Sequence, residues 1–225
     1  MQKFKTEMHC HTAETSNCGK ADASELIDAY LRHEYDTVII TDHMSTHTFF
    51  KYNYKKLSWD EIVDIFLQGY NAAKEYADGR INVLLGMELR FDSPSENDYL
   101  VYGITEQFLR RNKNLLDMDI KSFSKLAKKN DLLIFQAHPF RFNMTVTNPE
   151  YLTGIEVFNG CVRHNSNNDI AEIWANKYKF HTTSGSDFHQ LGDEARGGII
   201  TDISITSNDE LLRVLKKRDY SLIRV

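Results

Sequence analysis

His9 and His11 stand one residue apart in the stretch MHCHTAE, at the end of the apolar-alternating run KFKTEMHC. In an extended strand, side chains at i and i+2 share a face, so the two imidazoles lie side by side and Cys10 turns away. Two neutral imidazoles in that arrangement can hold a metal ion, although the pair alone also fits an ordinary polar strand end. Further along, VIITDH offers Asp42 and His43, VLLGME offers Glu88, LLIFQAH offers His138, and TTSGSDFH offers Asp187 and His189, again spaced i, i+2. Each has a plain reading by itself. His43 suits a cap or core position, Glu88 a solvated strand end, His138 a turn before Pro139, and Asp42 a helix cap. Together they point elsewhere, because each follows an apolar run at what would be the same end of successive strands. Glu88 and Asp187 brought close and buried would repel unless protons or cations compensated them. A mixed imidazole and carboxylate set suits zinc, manganese or iron better than calcium or magnesium. A carboxylate able to bridge two ions is the usual basis of a two-metal site.

The elements that must position these groups alternate along the chain. The run KFKTEMHC leads to ASELIDAYLRHE, where Ala23, Leu26, Ile27, Tyr30 and Leu31 keep helical spacing. DTVIITDH, INVLLGMELRF, DYLVYGI, DLLIFQAHP, GIEVFN, FHTTSGSDFH and GGIITDIS read as strands. WDEIVDIFLQGYNAAKEYA reads as one long amphipathic helix, with DIKSFSKLAKKN, NDIAEIWANKYK and DELLRVLKKRD as further helices. Strands alternating with helices predict an α/β protein with a mostly parallel sheet. The length, 225 residues, falls short of the ~250 of a full eight-unit barrel. A smaller or distorted TIM-like barrel is therefore expected, with an open doubly wound sheet as the competitor. In either fold the carboxyl ends of the strands are where sites are built.

Bulk composition excludes several classes. The chain is 41% hydrophobic and 26% charged, which suits one domain with a core of its own. A net charge of −5 without a basic run weighs against nucleic acid as the main partner. No segment approaches the ~18–20 continuous apolar residues of a membrane span. The amino terminus lacks the apolar stretch of a signal peptide, so a cytoplasmic location is expected. Cys10, Cys18 and Cys161 are odd in number and scattered; they read as reduced thiols.

HCHT, TDH, GME, QAHPFR and SGSDFH, in that order, resemble the motif series of the PHP (polymerase and histidinol phosphatase) superfamily. The likeness runs from about residue 4 to about residue 200 and is nearest to stand-alone bacterial metal-dependent phosphoesterases. It implies a single PHP domain over residues 1–225 folded as a distorted (β/α)7 barrel, with two or three divalent metal ions (manganese, iron or zinc). Carried over by motif, His9, His11, Glu88 and Asp187 match ligands of a first metal. Glu88 bridges to a second that His138 also holds, and His43 and His189 match ligands of a third. Two positions depart. In the loop after HCH, relatives carry a further ligand within an SDG-like stretch, whereas this chain reads TSNCG. Asn17 and Ser16 are poor substitutes there, and Glu14 is the carboxylate expected to reach in. Where relatives place a second-metal histidine on the strand read here as DYLVYG, alignment on the glycine sets Asp98; a carboxylate there shifts preference towards manganese or iron over zinc.

The activity this implies is hydrolysis of a small phosphomonoester, histidinol-phosphatase-like, by a hydroxide bridging two ions, with Glu88 and Asp187 in the centre. No serine or cysteine nucleophile is required, and HTTSGSDFH lacks the GxSxG elbow. Arg141 in HPFR lies on the same rim, able to bind a phosphoryl oxygen or to pair with an acidic neighbour. Arg163 and His164 are weaker candidates for the leaving-group side, and Asn159 for a hydrogen bond within the site. The aromatic HTFFKYNYKK can form a wall over the site or pack on the rim. Competing readings are a phosphodiesterase or nuclease, a metal-dependent deacylase, and a non-catalytic metal-holding domain.

Overall fold

The computed structural model describes residues 2–92 and 96–225. Its strands are β1 (Phe4–Cys10), β2 (Thr37–Ile40), β3 (His43–Met44), β4 (Asn82–Leu85), β5 (Met87–Arg90), β6 (Asp98–Tyr102), β7 (Leu133–Gln136), β8 (Gly154–Asn159), β9 (His181–Gly185), β10 (Gly197–Thr201) and β11 (Ser221–Arg224). The helices are α1 (Ala23–Arg32), α2 (Thr46–Phe49), α3 (Trp59–Phe66), α4 (Gln68–Ala77), α5 (Glu106–Arg111), α6 (Ile120–Lys129), α7 (Asn168–Tyr178) and α8 (Asn208–Lys217).

Seven staves form the distorted barrel. β2 and β3 are two halves of one stave, as are β4 and β5: β2 pairs parallel with β4 and β3 with β5. The order continues β5-β6-β7-β8-β9. Closure comes just beyond β9, where Phe188 N–H donates to the His9 carbonyl and His11 N–H to the Phe188 carbonyl. Below that point β10 pairs antiparallel with β1 and carries β11 on its outer edge.

One stave runs against the expected parallel order: β6 is antiparallel to both β5 and β7. Seven residues separate Arg90 from Asp98, fewer than the dozen or so that a crossover to a parallel strand needs, so the strand turns back. The reversal brings the first residue of β6, Asp98, to the rim where the other staves end.

The long helix expected over 59–77 is divided at Leu67 into α3 and α4. The Thr15 hydroxyl donates to the Phe66 carbonyl and accepts from Gly69 N–H, and a side chain inserted into the helical ladder bends it there. Gly69 lets α4 close on the loop after β1: a Cβ on it would fall 1.9 Å from the Thr12 hydroxyl oxygen.

Leu26, Ile27 and Tyr30 of α1 pack with Cys10, Val38, Ile40 and Phe188 on the outer side of the sheet. Cys10 is turned from His9 and His11, as alternation required. A second cluster joins Met8, Ile39, Leu100, Tyr102 and Phe135 to Leu211 and Leu215 of α8, filling the end of the barrel away from Asp98. Among the described residues, no helix is long and apolar enough to cross a membrane.

Candidate metal centre

The strand tips bring His9, His11, His43, Glu88, Asp98, His138, Asp187 and His189 into one cluster, most of it wholly buried. Glu88 lies at its middle. Its Oε1 is 3.3 Å from both His9 Nε2 and His138 Nε2, and its Oε2 is 3.3 Å from His11 Nε2 and 3.0 Å from His43 Nδ1. Asp187 Oδ1 closes the other side, 3.3 Å from His9 Nε2 and 3.4 Å from His11 Nε2. Ligand atoms of His9, His11 and Glu88, and separately of His11, Asp187 and His189, fall within 4.8 Å of one another.

Backbone geometry at the tips is unusual. β1 carries a bulge between Glu7 and Cys10, and β8 another between Glu156 and Phe158; bulges beside sites re-aim side chains. In β1 the buried Glu7 carboxylate takes up the displaced N–H groups of Met8 and His9 and the N–H and hydroxyl of Ser186. His138 and Asp187 adopt positive φ, 27° and 52°, a conformation that costs about 1–3 kcal/mol per residue and persists only where the surroundings impose it.

Electrostatics divide the imidazoles. Burial opposes charge on His9, but Asp187, Glu88 and Glu156 outweigh it and hold the ring well above its ordinary value. His11 is raised to about 9 against the same burial by Asp187 and Glu88. His189 goes the other way, to about 4, chiefly through burial, and burial likewise keeps His43 low. Burial would also raise the Glu88 and Asp187 carboxyls, yet the surrounding imidazoles hold both well below the carboxylate range. The two carboxylates thus favour positive charge at the middle of the cluster.

Among the described residues, Glu88 Oε1, His138 Nδ1 and Arg141 Nε are buried without a hydrogen-bond partner. Leaving such groups unmade is costly, and an unpartnered carboxylate oxygen, Glu88 Oε1, between the imidazoles of His9 and His138 fits a centre built for cations. The donor set, nitrogen and oxygen from rigid strand tips, suits zinc, manganese or iron.

Asp98 reaches the rim in a more restrained way. Both its oxygens accept from Arg90, at 2.6 Å each, and Oδ2 lies 3.8 Å from His138 Nε2. Arg141 pairs with an acidic neighbour that is itself in the cluster: one nitrogen donates to Asp187 Oδ2 at 2.7 Å and to Asn159 Oδ1 at 2.9 Å. Arg163 is held by Asp193. Asp42 does not cap a helix; it receives Thr12 N–H, the Thr12 hydroxyl and the Ser16 hydroxyl, and so folds the loop after β1. Glu14 does not reach the cluster, since its carboxylate accepts from Ala23 N–H at the start of α1. Asn17 donates to the His47 and Thr48 carbonyls.

Two supporting residues escape a reading by motif. Glu156 faces His9 Nδ1 at 2.9 Å and accepts from His138 N–H and Asn159 Nδ2, leaving His9 Nε2 as the free nitrogen turned to the cluster. Glu7 is the other. Neither is marked by a motif, and the bulge in β1 turns Glu7 towards Tyr30 of α1, whose hydroxyl donates to it.

The chain matches the PHP domain family over residues 7–186 and the PHP-associated family over residues 165–220. No curated protein matches it. Among solved structures it superposes on a two-domain Bacteroides vulgatus protein described as containing a PHP-like metal-dependent phosphoesterase, with TM-score 0.70 and 18% identity, covering 99% of this chain and 65% of that one. A lesion-specific endonuclease from Pyrococcus furiosus gives TM-score 0.68 and 12% identity over 96% of this chain and 56% of the other. An amidohydrolase from Chromobacterium violaceum gives 0.58 and 16%, covering 97% of each. The chain thus spans under two thirds of the first two proteins.

Proposed function

The chain belongs to the PHP domain family, and we propose that it is a metal-dependent phosphoesterase acting on a small phosphomonoester. The observation that carries this reading is the convergence of four imidazoles on the buried Glu88 carboxylate, with Asp187 opposite. His9, His11, Glu88 and Asp187 would hold one cation, with Glu88 shared towards His138 and Asp98, and with His43 and His189 at a third position. Divalent ions so held supply an acidified water near neutral pH and neutralise charge on the phosphoryl group.

The chain's own groups supply the rest. Glu156 orients His9 and fixes its tautomer. Arg141, with its Nε unpartnered and its other end on Asp187, is placed to take a phosphoryl oxygen beside the cations. Asn159 and Ser166 hold that guanidinium in line. A small ester is favoured over polymeric DNA by the net charge of −5, since phosphate neutralisation supplies most non-specific nucleic-acid affinity.

Hydrolysis of p-nitrophenyl phosphate by chelator-stripped protein, with and without Mn2+, tests this, with bis-p-nitrophenyl phosphate as the diester arm. Metal-dependent release from the monoester that Asp187→Ala lacks is the expected result. Release from the diester alone would transfer the reading to a phosphodiesterase. Metal-loaded protein that cleaves neither these nor a panel of sugar, nucleotide and amino-alcohol phosphates would overturn it.

A further inference from the structure

The loop after β1 lacks the family-type carboxylate, yet it does not leave the third position bare. Cys18 brings its Sγ within 4.8 Å of ligand nitrogens of both His11 and His43. We propose that Cys18 is a thiolate ligand of a cation at this third position, alongside His43, and that it makes the position selective for a soft metal. The inference rests on the metal-centre reading above.

The loop is built to hold Cys18 there. Ser16 donates to Asp42 and accepts from His43 N–H, which ties the loop to one of the imidazoles. Asn17 is fixed to the His47 and Thr48 carbonyls. After Cys18, Gly19 N–H returns to the Ser16 carbonyl and Lys20 N–H to the His189 carbonyl. Gly19 permits this tight path, because a Cβ there would stand 2.5 Å from the Thr12 carbonyl oxygen. With Glu14 committed to α1 and Asn17 to α2, Cys18 is the loop's donor facing the imidazoles. Glu88 Oε2 adds a buried carboxylate oxygen on this side of the cluster, 3.0 Å from His43 Nδ1 and 3.3 Å from His11 Nε2, beside which a cation would be stabilised.

Unlike Cys10 and Cys161, Cys18 is exposed, which keeps the position open to exchange with solvent. On coordination the thiol proton leaves to solvent as the sulfur–metal bond forms. Thiolate selects zinc and other soft ions, whereas carboxylate and water suit magnesium, calcium or manganese.

The test is titration of chelator-stripped protein with Co2+, read by absorbance and by bound-metal stoichiometry, for wild type, Cys18→Ser and Cys18→Asp. We expect a near-ultraviolet thiolate-to-cobalt charge-transfer band in wild type that both variants lose. Cys18→Asp should keep the stoichiometry and lose zinc affinity at that position by about tenfold or more. Zn2+ should also protect Cys18 from a thiol reagent. Cobalt bound at full stoichiometry with no charge-transfer band, or a band that survives in Cys18→Ser, would overturn the thiolate while leaving the metal centre intact. No cobalt bound at all would overturn both.

Discussion

Glu156 touches no open face of the cluster, yet it sets the direction of two of its members. It bonds His9 Nδ1 and the backbone N–H of His138, the latter in a strained conformation. Partners of this kind orient a ligand and raise its basicity, and their loss typically costs 10–100-fold in metal affinity. Glu156→Gln keeps the shape and one acceptor but gives up the anion. We expect it to weaken metal binding by about 10–100-fold in a competition against a chromophoric chelator, with the far-ultraviolet spectrum unchanged. Equal affinity would show that His9 is held by packing alone. The clustering of the histidines was legible in the sequence because their residue type and strand-end spacing announce it. Glu156 and Glu7 were not, because a carboxylate within GIEVFN or KTEMH reads equally as an exposed strand residue. What distinguishes them is a bulge and a closed barrel, neither of which shows in one chain's letters.

Elements were more legible in type than in course. The helical spacing of ASELIDAYLR predicted α1, and the structure adds a full capping box: Asp22 accepts from Glu25 N–H while the Glu25 carboxylate accepts from Asp22 N–H. α1 packs behind the strand that carries His9 and His11, so its stability supports that strand directly. Asp22→Ala should cost about 1 kcal/mol, measured by urea unfolding near neutral pH. The Ser24 hydroxyl and the Glu25 N–H hold the Asp22 carboxyl below its ordinary 3.8. A depressed folded-state value means stabilisation present above 3.8 and lost as pH falls through the folded value. The gap between wild type and variant should therefore narrow in acid; a gap that widened would assign the effect to something other than the cap. By contrast, the break between α3 and α4 and the reversal of β6 were hidden. The break depends on Thr15, some fifty residues away in sequence, and apolar periodicity does not report which way a strand runs.

At the scale of the whole molecule, the rim gathers Glu88, Asp98, Asp187 and Glu156 in a space where each is nearly or wholly buried. Arg90 and Arg141 pair with Asp98 and Asp187, and, against their burial, Asp187 and Glu88 hold the imidazoles of His9 and His11 above their ordinary values. Removing one partner from such an arrangement leaves an uncompensated buried charge, which is strongly destabilising. A cation that binds only the folded chain stabilises it by mass action, about 2.7–4.1 kcal/mol at 100–1,000 times its dissociation constant. For a chain of this size 1 kcal/mol moves the melting point by about 2–4 °C, so Mn2+ or Zn2+ should raise Tm by about 5–15 °C over chelator-treated protein. Asp187→Ala should lose most of that increment. It also strips the Arg141 guanidinium of its carboxylate, so the metal-free variant should melt below metal-free wild type. A Tm indifferent to metal in wild type would mean that the barrel is held by its own side chains alone, and that the strained tips at His138 and Asp187 serve something other than a cation.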